Sequence, residues 1–130
     1  MVDRASKLTK MAICKRKEAV PVTKALTRSL NPVMEFVLTL TADNGKEFAK
    51  HANVSNELKV DFFFAKPYHS WQRGLNEHTN GLIRQYFPKG TSFDSITNED
   101  IARVEYLLNN RPRKILNFKT PIEVFNKMTA

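Results

Sequence analysis

Six prolines and the dipeptide Asn44-Gly45 cut this chain of 130 residues into short segments, so its fold must be assembled from many brief elements. The apolar period changes from one segment to the next. Leu8–Lys15 has the length and content of a strand, with Met11 and Ile13 on one face and Ala12 and Cys14 on the other, and Met1–Arg4 reads as the tail of a preceding strand. From Glu18 to Leu30 the spacing of Val22, Ala25, Leu26 and Leu30 is helical; Pro21 fits only the first turn, and Asn31-Pro32 stops the element. Glu35–Ala42 returns to strand, with Phe36, Leu38, Leu40 and Ala42 on one face and Val37, Thr39, Thr41 and Asp43 on the other. Asn44-Gly45 then signals a turn.

Lys46–Leu58 is a weaker helical stretch, and Lys59–Ala65 is the most strand-like run, closed by Pro67. A loop, PYHSWQRG, follows. A helix opens at Gly74 or Leu75 and runs to about Phe87, where Pro88-Lys89-Gly90 breaks it. Thr97 or Asn98 can cap a further helix with Ile101, Val104, Leu107 and Leu108 as its buried stripe, ending at Arg111 before Pro112. Thr120-Pro121-Ile122-Glu123 forms a capping box for a terminal helix. The succession of elements is a mixed α/β arrangement, expected as a single domain over 1–130.

Composition narrows the partner. Lys and Arg outnumber Asp and Glu by 21 to 13, a net charge of +8, which suits a polyanion as well as plain solubility. The single cysteine, Cys14, excludes an internal disulfide framework and reads as a small core residue; with only three histidines there is no zinc-site spacing. No apolar run approaches the ~20 residues needed to span a bilayer, and no signal-peptide core follows the N-terminus, so the expectation is a cytoplasmic chain with no membrane partner.

The chemistry centres on two acids. Asp43 stands at the end of a predicted strand and Glu77 on a predicted helix, with 33 residues between them. Two carboxylates on separate elements of a basic chain can hold a hard divalent cation and leave room for phosphate in its shell. At 100° per residue, Leu75, Thr79, Leu82, Ile83 and Tyr86 form one stripe of the Glu77 helix; Arg73, Glu77, Asn80 and Arg84 gather opposite, with Gly81 beside them. Such a face is also what a solvated helix with ion pairs presents. The preceding loop adds Tyr68, His69, Trp71, Gln72 and Arg73, groups able to stack on bases and grip phosphates. Together they point to DNA strand chemistry.

TADNGKEF, PYHSWQRGLNEHTNGLIRQYFPKGT and LLNNRPRKILNFKTPIEVF resemble the catalytic core of bacterial insertion-sequence transposases of the thirty family, within the retroviral-integrase superfamily, over about Val2 to Phe125. The resemblance implies a ribonuclease-H-like mixed sheet with flanking helices, strand order 3-2-1-4-5, and an Asp-Asp-Glu triad holding two divalent ions, Mg²⁺ or Mn²⁺. Asp43 matches the second aspartate and Glu77 the glutamate, both as catalytic metal ligands. Arg84 matches a basic position that grips DNA, and Arg73, Asn80 and Lys89 are expected along the same path. The implied partners are DNA, as transposon ends and target, and either a homo-oligomer or full-length transposase.

The family's first aspartate belongs to the first, central strand, upstream of the segment resembling MVDRASK, and Asp3 lies on the wrong strand to replace it. The expectation is therefore a core that lacks its first strand, partial at its N-terminus and inactive alone, with unpaired edges on the Val2–Lys15 hairpin and the Phe36–Asp43 strand unless these pair with each other or with another chain. The intact form would cleave a phosphodiester and transfer the strand. The alternatives are a non-enzymatic DNA-binding or inhibitory fragment and a decayed remnant.

Overall fold

A computed structural model describes residues 1–14, 16–43, 45–65 and 74–130. The chain divides into two compact units, one comprising Ala12–Arg73 and the other Met1–Met11 with Gly74–Ala130.

In the Ala12–Arg73 unit, helix α1 (Ala19–Leu30) ends where Pro32 removes a backbone donor. The chain does not leave the helical path there, because proline is tolerated in a first turn; a 3₁₀ segment, Asn31–Phe36, follows with a kink at Val33. The expected strand from Glu35 is accordingly shortened to β1 (Thr39–Ala42). Phe36 and Leu38 are exposed instead of sharing the buried face, since only Thr39–Ala42 has a ladder partner among the described residues.

After a 3₁₀ turn at Lys46–Phe48, α2 (His51–Leu58) ends on Lys59 in the left-handed region, φ 56°, with Val60 N–H donating to Ser55 C=O. This reversal places β2 (Asp61–Phe64) parallel to β1, with Leu40 opposite Phe62 and Ala42 opposite Phe64. Leu30, Val54, Leu58 and Val60 make the core, lined by Leu26, Val33, Val37, Leu40 and Phe62. Alternation along β2 sends Phe62 and Phe64 inward against Phe48 and His51, with ring centroids 5.0–6.1 Å apart, and leaves Phe63 outside. Cys14, expected in a core, is half-buried, and that partial burial pushes its thiol pKa up.

The other unit holds α3 (Gly74–Arg84), α4 (Asn98–Asn109) and α5 (Pro121–Thr129), with α4 packed on α5. Thr97 and Asp100 close a reciprocal capping box at α4, and Thr120 Oγ1 accepts from Glu123 N–H at α5. Val104 and Leu108 are fully buried; Leu107, expected beside them, is partly exposed at the edge of the stripe.

The N-terminal residues pair antiparallel through a single bridge, Val2 to Thr9, where a longer strand was expected from Leu8 to Lys15. Asp3 turns the chain: its carboxylate accepts from Ser6 N–H and Ser6 Oγ, and Lys7 follows at φ 64°. On the far side of the bridge, Thr9 N–H donates to Asn109 Oδ1 and Asn109 Nδ2 donates to Thr9 C=O, both at 2.8 Å. Two residues on, Met11 N–H donates to Glu105 Oε2 at 3.1 Å. Residues 105 and 109 lie one helical turn apart on α4 and stand where a neighbouring strand would offer its backbone. That edge is capped by side chains rather than left open.

Candidate active site

Asp43 follows the last residue of β1. Pairing extends one step beyond the ladder, with Ala65 N–H donating to Ala42 C=O at 2.7 Å, so the strand end beside Asp43 is held by the chain that continues β2. Strand alternation turns Leu40 and Ala42 inward and leaves Thr39, Thr41 and Asp43 exposed, as the sequence pattern predicts. Gly45 N–H donates to the Asp43 carbonyl at 2.9 Å.

Gly45 does not answer a need for a left-handed backbone there, because its φ is −95°, and a side chain at this position would displace only the flexible end of Glu47. A Cβ on it would come within 2.3 Å of the Glu47 carboxylate. That carboxylate lies almost buried and pairs with Lys17 at 3.5 Å. Sequence reasoning did not single out Glu47; its place in TADNGKEF, two residues past the turn glycine, was the available signal.

Glu77 lies in the first turn of α3 and is exposed, where the positive end of the helix dipole favours a carboxylate. The angular sorting holds along this helix: Thr79 is buried, Leu75, Leu82 and Ile83 are half-buried, and Glu77, Asn80, Gly81 and Arg84 are exposed together. Tyr86, expected in the apolar stripe, lies beyond the end of α3 at Arg84 and is partly exposed. Arg84 occupies the last turn, complementing the negative helix end, and its Nη1 donates to Phe87 C=O at 3.4 Å. Lys89 is exposed on the turn closed by Thr91 N–H to Pro88 C=O, where Gly90 supplies φ 88°.

The structure therefore brings Glu77, Asn80 and Arg84 onto one face of α3 and places Lys89 just beyond it; Asp43 belongs to the other unit. Arg73, with Tyr68, His69, Trp71 and Gln72, lies outside the described residues. For a divalent metal the donor chemistry fits, since both acids are exposed and supply the oxygen ligands that hard cations take. Among the described residues no group of three His, Cys, Asp or Glu side chains could by itself hold a metal ion.

Over 97% of its length the chain is 51% identical to the transposase for insertion sequence element IS4351 of Bacteroides fragilis. It is 44% identical over its whole length to transposase InsI for insertion sequence element IS30A of Escherichia coli K12. This chain is a homologue of the IS30-family transposases. It spans 39% and 34% of the length of those two relatives. No protein-family model matches it. Among solved structures, a chain of the simian T-cell lymphotropic virus intasome in complex with PP2A regulatory subunit B56 gamma superposes with a TM-score of 0.69. That match covers 95% of this chain and 45% of that one. At 20% identity the likeness concerns the fold, which is integrase-like. No described helix of the chain is long and apolar enough to cross a membrane.

Proposed function

We propose that this chain supplies two metal-holding carboxylates, Asp43 and Glu77, to the ribonuclease-H-like core of a transposase that cleaves a phosphodiester at transposon ends and joins the strand to target DNA. The observation that carries this reading is the 44–51% identity to insertion-sequence transposases, running through the segments that bear both acids. The exposed setting of each acid supports it: one at a strand end fixed by β pairing, the other in a helix first turn.

Bound Mg²⁺ or Mn²⁺, two ions in the intact site, would supply Lewis-acid activation of the attacking oxygen and stabilise the leaving one. The chain's own residues do the rest. Asp43 and Glu77 would hold the ions through carboxylate oxygens, Asp43 from the end of β1 and Glu77 from the first turn of α3. Asn80 and Arg84, on the Glu77 face of α3, orient the DNA backbone beside the acid, and Lys89 and Arg73 extend the same path. Arg84 stands seven residues from Glu77, two helical turns, so one helix aligns an acid and a phosphate-binding cation. The transposase is proposed to act as a homo-oligomer, and the reaction belongs to the longer protein of which this chain matches about a third to two-fifths.

The test is Mn²⁺ binding measured by water-proton relaxation in the presence of transposon-end DNA. Asp43→Asn and Glu77→Gln are each expected to lower Mn²⁺ affinity about tenfold, because second carboxylates are the main determinant of divalent affinity at an open oxygen site. Wild-type binding in both variants would remove the assignment.

A further inference from the structure

The segment NNRPRKILNFK has no part in the reading above, yet it builds the most strained surface in the described residues. Its chain leaves α4, and Arg113 pairs antiparallel with Lys119 across a tight loop that contains one 3₁₀ turn, Lys114–Leu116. Arg113 N–H donates to Lys119 C=O, and Phe118 N–H and Leu116 N–H both donate to Arg113 C=O, at 2.8–3.0 Å. Arg113 also fastens the loop to α4, its Nη2 donating to Leu108 C=O at 3.1 Å. The loop is thus rigidly anchored at its neck.

Its tip is unusual. Asn117 and Phe118 both sit at positive φ, 54° and 65°. Asparagine tolerates that region; a bulky aromatic does so only when its surroundings force it. Folding gains no burial from the strain, since Phe118 is 71% exposed and Ile115 is 74% exposed. The same stretch carries Arg111, Arg113, Lys114 and Lys119, and no carboxylate occurs from Tyr106 to Ile122. The apolar centres of protein–protein contacts are depleted in charge, whereas an apolar tip among cations suits a polyanion with stackable faces.

We propose that the loop Arg113–Lys119 is a DNA-wedging element: Phe118 and Ile115 press between base steps of a duplex while Arg111, Lys114 and Lys119 hold the flanking phosphates. This rests on DNA being the chain's partner and assigns it a contact separate from the acids and from the face of α3. The wedge unstacks a flexible step, and the cations keep the loop in register on the backbone.

The experiment uses the whole chain and a duplex with 2-aminopurine at a central pyrimidine–purine step. Wild-type chain is expected to raise the 2-aminopurine fluorescence on binding. Phe118→Gly is the decisive variant, because glycine adopts positive φ without a Cβ clash and so leaves the fold intact, with an unchanged or raised melting temperature. It should abolish the fluorescence rise and weaken binding about tenfold, within the range for losing one base–aromatic contact, while the salt dependence of affinity stays the same. Phe118→Trp should retain the rise.

The proposal is overturned if Phe118→Gly unstacks the probe as wild type does, or if it leaves DNA binding untouched and instead dissociates a self-associated chain in sedimentation. Wild-type binding with a steep salt dependence and a silent probe would overturn the wedge alone. Unaltered Mn²⁺ binding by Glu77→Gln would instead overturn the metal assignment, and no duplex binding at low salt would overturn both.

Discussion

The two compact units are held by different physics. In the Ala12–Arg73 unit, four aliphatic side chains, Leu30, Val54, Leu58 and Val60, bury themselves with a fringe of further apolar groups. In the unit of α3, α4 and α5, the buried set mixes Leu8, Val104 and Leu108 with Ser6, Thr9, Thr79, Asn109 and Thr120. The first is non-directional and tolerates small shifts; the second depends on hydrogen bonds that are either made or lost. The candidate acids inherit this difference. Asp43 is placed by a hydrophobically clamped strand pair, whereas Glu77 belongs to a unit fixed in part by a polar network.

The largest effect should come from the aliphatic side of that comparison. Leu58 is 2% exposed at the end of α2, and Leu58→Ala removes its burial and leaves a cavity, a change that costs about 2–5 kcal/mol. Urea unfolding followed by far-ultraviolet circular dichroism measures the loss. A cost below about 1 kcal/mol would mean that the cluster around Val54 relaxes freely and that burial does not hold this unit.

The polar side is tested at Asn109. Asn109→Leu keeps the volume but deprives Thr9 of partners for both its buried N–H and its C=O. Leaving such a group unsatisfied costs about 1–3 kcal/mol for each. Hydrogen exchange reads the site directly: the Thr9 amide should lose protection in the variant while the amide of Val54 keeps its own. Equal protection in both proteins would show that Thr9 is satisfied by another route.

That pair also marks the boundary of what the sequence makes legible. Periodicity and breakers placed α1 at Glu18–Leu30 where the structure has Ala19–Leu30, anticipated the cap Thr120, narrowed the α4 cap to Thr97 or Asn98, and sorted the faces of β1 and α3 at Asp43 and Glu77. These signals are local, so they survive folding. Asn109 was not legible, because its role is to imitate a strand edge for a residue 100 positions away. The same limit explains the 3₁₀ path after Pro32 and the left-handed Lys59, where chain reversal outweighed side-chain preference. The family motifs carried the identity of the acids. Local pattern carried only their exposure.

The smallest effect concerns the start of α4, where the polar unit meets water. Thr97 N–H donates to Asp100 Oδ2 at 3.0 Å, and Asp100 N–H donates to Thr97 Oγ1 at 3.1 Å. The bond from the Thr97 backbone, and next the Thr97 side chain, hold the Asp100 carboxyl below its ordinary value; desolvation opposes them and the Arg103 charge adds to them. A carboxylate whose folded pKa is depressed adds stability above its unfolded pKa, and that stability is lost as pH falls through the folded value. Wild type should therefore melt higher than Asp100→Asn at neutral pH, and the two should converge as acid protonates the wild-type carboxylate. The gap should be smaller than that of Thr97→Ala, for which loss of an N-cap costs about 1 kcal/mol, because Asp100 faces solvent and its charge is screened. Melting curves from pH 7 down to the aspartate range decide it; a gap that persists unchanged in acid would mean that the reciprocal bond acts through geometry alone, and the polar unit would then be less sensitive to charge than its hydrogen bonding implies.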